Sequence, residues 1–575
     1  MIEGILRKSV KESLQKLGLE ADEVNFEHPA DFSHGDYSTN IALVLAKTKT
    51  AKNGSSGASK EALRKENHNP KELANKIVEN LEKSKEVEKI EVAGAGFINF
   101  HLTKEFFASS LKEATREDFG KNESLKGKKV LVEHSSPNLF KPFHIGHIMN
   151  NTIGESAVRL AEYTGADVIR MSYPSDLSLS IAKAVWALLE KGVDKLDELK
   201  TIKEKLKFLG ECYAEGVRAF DENPKAKSRV EEIIEILYQK KEGVELDAYN
   251  LGKEINLTYF KGITERLGTT IDSYIYESEA GPVGEEIVRD NIGKVFEESE
   301  GAIIYRGEQD GFHTRVFINK NGKPVYEAKD IGLLDLKFKK FSPDYLVYVT
   351  DNEQSSYFEV VMSAAAKINP VWKERMTHFS HGRMSFMGSR MSSRLGGIPL
   401  AQDVLDTTAQ EVLDRSGSDI TSDDADKIAI AAIKFAILRS APGKDINFDP
   451  DTSLSFEGDS GPYLQYTYVR AKSALKIAEQ KGIRPSDIMP SGWEITELEK
   501  ILYRFPEVAL RAWEEKGPQL VAKFLIDLAG SFNSFYAQEK IALEGGEYKV
   551  LLTKAAMNTL KNGLYLLGIK VPDKM

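Results

Sequence analysis

The chain has 575 residues, with 78 Lys and Arg against 88 Asp and Glu, a formal charge of −10. That is enough chain for several domains at roughly 100–200 residues each, and a polyanion partner would need a local basic face. Cys212 is the single cysteine, which excludes an internal disulfide framework and a thiolate zinc site and fits a reducing, cytoplasmic setting.

Ile5, Leu6, Val10, Leu14 and Leu17 recur at helical spacing and predict an amphipathic helix over residues 1–19. Charges interrupt its apolar residues, unlike the core of a signal peptide. No window reaches the roughly 18 apolar residues of a membrane span. After Phe32–Asn40, Ile41–Ala46 predicts a second helix, residues 47–70 a polar loop and Lys71–Lys83 a third helix. Ile90–Leu102 alternates like a strand, with a glycine turn inside it. Residues 1–115 therefore read as a small α+β domain, closed by a polar linker near Arg116–Lys129.

Val130-Leu131-Val132 predicts a strand, Ile148–Tyr163 a helix and Asp167–Met171 a second strand. This is a βαβ unit with a right-handed crossover. Residues 178–265 are charged and helical, and read as an insertion. Strands return at Ile303–Tyr305, Thr314–Ile318 and Tyr345–Val349, and Asn319–Pro324 predicts a hairpin turn. Residues 378–398 read as a loop, and 401–575 as a helix bundle.

Two stretches carry chemistry. His144-Ile145-Gly146-His147 lies between the first strand of the βαβ unit and its helix. Phosphates bind at such helix starts, and ligands at such strand ends. A single histidine is ordinarily a surface or core residue, but only ten occur in the chain. The second stretch, Gly388-Ser389-Arg390-Met391-Ser392-Ser393-Arg394-Leu395-Gly396-Gly397, combines two arginines with three hydroxyls. Glycine-flanked cationic loops wrap anions; the alternative is a solvated surface loop.

Together the two stretches are similar to the paired motifs of class I aminoacyl-tRNA synthetases. Ser135-Ser136-Pro137-Asn138, Lys141-Pro142-Phe143-His144-Ile145-Gly146-His147 and Arg390-Met391-Ser392-Ser393-Arg394 resemble those of arginyl-tRNA synthetases in particular. His34-Gly35-Asp36-Tyr37, Gly96-Phe97-Ile98-Asn99-Phe100, Gly461-Pro462-Tyr463-Leu464-Gln465-Tyr466 and the ending Leu567–Met575 extend the resemblance over nearly the whole chain. It implies a multidomain α/β fold. A Rossmann-like class I catalytic core would span 116–400, with a helical insertion at about 178–300. A small α+β N-terminal tRNA-binding domain would precede it (1–115), and an all-α anticodon-binding bundle would follow (401–575). The implied reaction joins arginine and ATP into arginyl-adenylate, then moves arginine to the terminal ribose of tRNA(Arg). The implied partners are arginine, tRNA(Arg) and ATP, with Mg2+ carried by the nucleotide; no metal site of the protein's own, a monomer and no membrane association are expected.

The resemblance also implies roles. His144 and His147 would bind phosphates, Gly146 would leave room for adenosine, and Arg390 and Arg394 would close over the triphosphate. Phe143, Met384, Met391 and Ser392 would complete the nucleotide site. Glu133 and Asp330 would face the guanidinium, with Ser135, Asn138, Tyr326 and Gln354 around them. Asp330 could instead be a helix N-cap, and Glu327 reads as solvated. For tRNA, Tyr463, Gln465, Tyr466, Arg470 and Arg511 are candidates in the bundle. Tyr468, Phe535, Tyr536 and Lys472 are further candidates there, because splayed bases stack on aromatics. Asn99 and Phe100 would touch the tRNA from the N-terminal domain.

The chain departs from the family pattern in four places. Arg390 stands where lysine is usual, and a guanidinium does not replace an ammonium neutrally. Ser393 replaces a second lysine, whose role Lys141 would take over. Tyr173-Pro174-Ser175-Asp176-Leu177-Ser178 replaces most of a Gly-Asp-Trp-Gly-Thr-Gln segment, and Tyr357 replaces a histidine. These departures keep open a catalytically weakened tRNA-binding paralogue. A small-molecule nucleotidyltransferase would share the histidine pair but does not account for the C-terminal bundle.

Overall fold

A computed structural model describes residues 2–47, 69–141, 143–386, 400–416 and 420–575. By its internal contacts the chain forms two units, one of residues 1–120, 470–507 and 527–562, the other of residues 121–469, 508–526 and 563–575.

In the first unit, α1 (Ile2–Lys16), α2 (Ile41–Lys47), α3 (Pro70–Glu79) and α4 (Lys104–Ala114) accompany β1 (Tyr37–Thr39), β2 (Val87–Ala93) and β3 (Phe97–Leu102). The strands form an antiparallel sheet in the order β1-β3-β2. The glycine turn between β2 and β3 falls where the sequence places it. Gly96 has φ +126°, and a Cβ there would meet Pro70 O at 2.8 Å, so no other residue fits. Leu6, Val10, Leu14, Ile77 and Ile98 fill the core, joined by Tyr503 from the C-terminal part of the unit. Asn99 and Phe100 are buried too, and Asn99 accepts a hydrogen bond from Ser38 at 2.8 Å. They hold the sheet together and present no surface, which corrects their expected contact with tRNA.

The second unit is built on β4 (Lys129–Glu133), β5 (Asp167–Ser172), β6 (Ser273–Tyr274), β10 (Tyr345–Asp351) and β11 (Met376–His381). They form one parallel sheet in the order β11-β10-β4-β5-β6. Val130, Leu131 and Val132 have no exposed surface, as expected for a strand covered on both faces. From β4 the order runs through β5 and β6 on one side and β10 and β11 on the other. The switch point therefore lies between β4 and β10, where parallel sheets open a ligand crevice.

Helix α5 (Ile145–Tyr163) follows β4. The insertion is the expected helical one: α6 (Leu179–Lys191), α7 (Ile202–Glu222), α8 (Pro224–Tyr238) and α9 (Val244–Arg266) share a core of their own. Next come α10 (Glu277–Asp290) and a small antiparallel sheet of β7 (Glu297–Ser299), β8 (Ala302–Tyr305) and β9 (Arg315–Ile318). The expected turn after β9 forms, closed by Asn319 N–H to Lys323 O at 2.9 Å and Val325 N–H to Phe317 O at 3.0 Å, but no second full strand follows it. Asn319–Pro324 turns the chain back to a single bridge, Ile318 to Pro324, and then enters α11 (Tyr326–Phe341). Residues 378–381 and 384–386, expected as loop, belong to β11 and to β12 (Met384–Phe386), which pairs with β13 (Ile446–Phe448) inside the otherwise helical C-terminal part.

Residues 563–575 are tied into this unit. Leu566 O accepts from Ser156 Oγ at 2.9 Å, and Gly568 O from Lys434 Nζ at 2.8 Å. Lys570 O accepts from Gln465 Nε2 at 2.6 Å. Gln465 has no exposed surface, so its expected contact with tRNA gives way to a structural one.

Candidate active site

The turn after β4 is bent at two non-glycine residues with positive φ, Ser135 (57°) and Phe140 (63°). Such conformations cost energy and persist where the surroundings fix them. At Ser135 the fixing groups are visible. Its backbone N–H donates to Asn150 Oδ1 at 2.6 Å, its carbonyl accepts from Ser172 Oγ at 2.9 Å, and its hydroxyl accepts from Asn151 Nδ2 at 3.0 Å. Ser135 is wholly buried in these contacts. It shapes the turn and does not face a substrate, contrary to expectation.

The histidine pair caps α5. His144 Nδ1 accepts the Gly146 N–H at 3.1 Å, and His147 Nδ1 accepts the His144 N–H at 3.0 Å. With both Nδ1 atoms accepting, the proton of each neutral ring sits on Nε2. Burial, with the charge of Lys141, lowers the pKa of His144. Burial, with the His144 ring next, pushes His147 down to about 3. Both are uncharged imidazoles at neutral pH, each with an Nε2–H donor at a helix start that has no hydrogen-bond partner among the described residues. Phe143 is buried and stacks on His147 at 4.3 Å. A Cβ on Gly146 would press on the His144 ring at 3.0 Å, so glycine lets that imidazole fold back as a cap. Met384 is buried at the start of β12. Lys141 is exposed, its ammonium 4.9 Å from the Tyr213 ring centre.

Acidic groups gather at the ends of β4 and β5 and on α10 and α11, and most are already paired. Glu133 is buried against Lys337, whose ammonium also lies 3.8 Å from the Tyr348 ring centre. Glu277 pairs with Lys329 and accepts from Ser175. Glu327, expected to be solvated, is buried and bonds Arg315 at 2.8 Å. Asp176 accepts from Lys253 at 2.7 Å, Tyr249 at 3.1 Å, Ser278 Oγ at 2.8 Å and the Ser278 N–H at 2.9 Å. The aspartate that survives in the altered segment therefore ties the turn after β5 to α9 and α10.

Asp330 differs from these acids. It lies inside α11, whose N-cap is Val325, so it is not a helix cap. Its Oδ2 accepts the Tyr357 hydroxyl at 2.6 Å, and among the described residues it forms no ion pair. Burial pushes its pKa up to about 7; the Tyr357 bond opposes this and the charge of Glu133 adds to it.

Other expected pocket residues lie at the surface. Tyr326 is 64% exposed. Asn138 is exposed beside a bridge to Ser175, and Gln354 is exposed in the turn after β10. Arg390, Met391, Ser392 and Arg394 lie outside the described residues.

Sequence reading missed Tyr173, Lys337 and Tyr213. The Tyr173 hydroxyl is buried with no hydrogen-bond partner among the described residues and faces Asp330, Glu277, Glu133 and Asp176. Its place directly after β5, beside the end of β4, was the available signal. Lys337 had none, because a lysine three turns into a charged helix reads as solvent-facing.

Of the tRNA candidates, Tyr463 and Tyr466 are half-buried, whereas Tyr468 and Phe535 are buried. Arg470 donates to Asn533 at 2.6 Å and lies 5.3 Å from the Tyr536 ring centre. Arg511 is exposed and pairs with Glu515 at 2.9 Å.

Three family descriptions match the chain in order. Residues 4–102 match "Arginyl tRNA synthetase N terminal domain", residues 111–449 "tRNA synthetases class I (R), catalytic domain", and residues 464–575 "DALR anticodon binding domain". The chain belongs to the class I arginyl-tRNA synthetases.

Relatives within the family agree. An arginine–tRNA ligase of Treponema pallidum is 30% identical over 508 residues, covering 83% of this chain and 85% of that one. One of Flavobacterium psychrophilum is 28% identical over 628 residues and covers both chains fully. The solved arginyl-tRNA synthetase of Thermus thermophilus superposes with a TM-score of 0.79 at 25% identity, covering both chains fully. That of Plasmodium falciparum has the same TM-score at 20% identity, which speaks to the fold alone. Among the described residues no helix is long and apolar enough to cross a membrane.

Proposed function

We propose a division of labour for the reaction that family membership brings: arginine and ATP give arginyl-adenylate and pyrophosphate, and the arginyl group then passes to the terminal ribose of tRNA. The observation that carries the proposal is the unpaired Asp330. Glu133, Asp176, Glu277 and Glu327 each have a lysine or arginine partner, and Asp330 has none among the described residues. A carboxylate kept from neutralisation at a strand-end crevice awaits a cation, and a guanidinium supplies one. Asp330 takes the arginine side chain, Tyr357 orients it, and Asn138, Tyr326 and Gln354 form the rim. Glu133, held by Lys337, adds negative potential from below.

Activation is an in-line attack of the arginine carboxylate on the α-phosphate of ATP. The protein positions the groups and stabilises charge developing on phosphate oxygens. His144 and His147 donate hydrogen bonds from Nε2–H to those oxygens while staying neutral, at the positive end of α5. Lys141 supplies a cation on the same side, and Arg390 and Arg394 supply the others. Gly146, Phe143, Met384, Met391 and Ser392 bound the adenosine. Magnesium arrives with the nucleotide.

For tRNA, we assign Tyr463, Tyr466, Arg470 and Arg511 to the anticodon arm, within a bundle of residues 401–575. Residues 116–400 form the catalytic domain and 1–115 the additional tRNA-binding domain. The protein acts as a cytoplasmic monomer. ATP–pyrophosphate exchange with arginine, in the presence of tRNA(Arg), tests the reading. Absence of exchange would leave a tRNA-binding paralogue in its place.

A further inference from the structure

The helical insertion of residues 178–265 has no part in the chemistry described so far, yet it holds the turn that carries Lys141. Leu139 and Phe140, the two residues before Lys141, belong to the insertion's core, together with Leu188 of α6, Leu209 and Cys212 of α7, and Tyr249 of α9. Phe140 is wholly buried there, stacked on Tyr249 at 6.5 Å. A Cβ on Gly252 would strike the Phe140 ring at 2.3 Å, so α9 carries glycine where that ring lies. This packing fixes Phe140 at φ +63° and sets the direction in which the chain leaves towards Lys141.

The side chain of Lys141 is held as well. Its ammonium lies 4.9 Å from the ring centre of Tyr213 on α7. At that distance the negative face of the ring holds the ammonium by a cation–π contact. Burial pushes the Tyr213 phenol up, but Lys141 and Ser180 beside it outweigh burial and leave it below its ordinary value. The same cation bears on His144. An exposed lysine otherwise samples many rotamers, and holding it in one costs side-chain entropy on every turnover. An aromatic face fixed on α7 prepays that ordering.

We propose that Tyr213 is a positioning residue for activation: through the insertion, Tyr213 and Phe140 aim the Lys141 ammonium at the triphosphate beside His144. The insertion is then part of the active site's frame. The proposal rests on the phosphate role given to Lys141, and the test separates the two.

Tyr213→Leu, Lys141→Ala and the double variant are compared by arginine-dependent ATP–pyrophosphate exchange with tRNA(Arg) present. Tyr213→Leu keeps an apolar side chain against the insertion's core and removes the aromatic face. We expect it to lower kcat by about three- to thirtyfold, the range of one lost cation–π contact. The Michaelis constant for arginine stays unchanged, and Tyr213→Phe, which keeps the face, keeps most of the activity. In the Lys141→Ala background Tyr213→Leu has no further effect, because its target is gone. An additive loss in the double variant overturns the proposal and makes Tyr213 a structural residue. A normal Tyr213→Leu beside an impaired Lys141→Ala overturns it as well, and leaves the role of Lys141 standing. A normal Lys141→Ala removes both readings.

Discussion

The Tyr357 hydroxyl donates to Asp330 Oδ2 across 2.6 Å, and this bond orients the carboxylate without neutralising it. A tyrosine here does what a histidine at this point would do only in part. It gives a hydrogen bond at every physiological pH and never adds a positive charge that would compete with a guanidinium.

Asp330→Asn keeps the shape and removes the charge. kcat/KM for arginine should fall by about ten- to a hundredfold, as for one charge-assisted bond, while the Michaelis constant for ATP barely moves. Equal rises in both constants would place Asp330 elsewhere. The pH dependence has a definite sign. With its pKa pushed up to about 7, Asp330 loses its charge as pH falls through that value. kcat/KM for arginine should fall on the acid side of about pH 7 and level off above it, and Asp330→Asn should flatten that limb.

His147→Ala removes a phosphate donor and half of the cap on α5. We expect a loss of about 10²–10³ in activation, the usual scale for one preorganised donor, with a smaller stability loss of about 1 kcal/mol from the cap. The ring has its pKa near 3, so it does not titrate in the working range. A rate profile with a limb near pH 6.5 that disappears in His147→Ala would contradict the neutral-donor role.

Much of this architecture could be read from the residues, and the limits have physical causes. β4, α5 and β5 were legible because short apolar runs bounded by turn residues mark strands covered on both faces. The histidine pair was legible because a strand-to-helix turn gives its position meaning. β11 was not legible, because Thr377, His378 and Ser380 are polar and join the sheet only by pairing with β10. Glu327 and Lys337 share one cause. Charged residues on helices read as solvated, and only tertiary packing buries them in pairs. Asn99, Phe100 and Gln465 erred in the opposite direction: aromatics and amides near a binding motif are often core, and these three are.

The buried Glu133–Lys337 pair yields a stability prediction. Lys337→Met leaves Glu133 buried and uncompensated, which should cost about 3–5 kcal/mol. Glu133→Gln with Lys337→Met removes both charges and should recover most of that loss. Denaturant titration of the three proteins measures it, and a double variant no more stable than Lys337→Met would show that the charges were not the cause.

Lys434 is buried and donates to the carbonyls of Leu267 and Gly568 at 2.6 and 2.8 Å. Burial, with Arg159 next, lowers its pKa to about 7. An unfolded lysine titrates near 10.4, so between about pH 7 and 10 the unfolded chain holds more protons than the folded one. Stability from this group therefore rises with pH across that window. Wild type should gain on Lys434→Met in unfolding free energy between about pH 7 and pH 9. Parallel pH curves for the two proteins would mean that the amine keeps its proton when folded.

The carbonyls that satisfy Lys434 and Gln465 have a consequence for biosynthesis. The parallel sheet is translated by residue 381, but Gly568 and Lys570 come only after residues 470–507 and 527–562, which belong to the other unit. Until those carbonyls emerge from the ribosome, Lys434 Nζ is left with Leu267 O, and Gln465 Nε2 with Lys427 O. The nascent catalytic unit therefore completes its buried hydrogen bonds only when the tail arrives, and needs protection from aggregation until then.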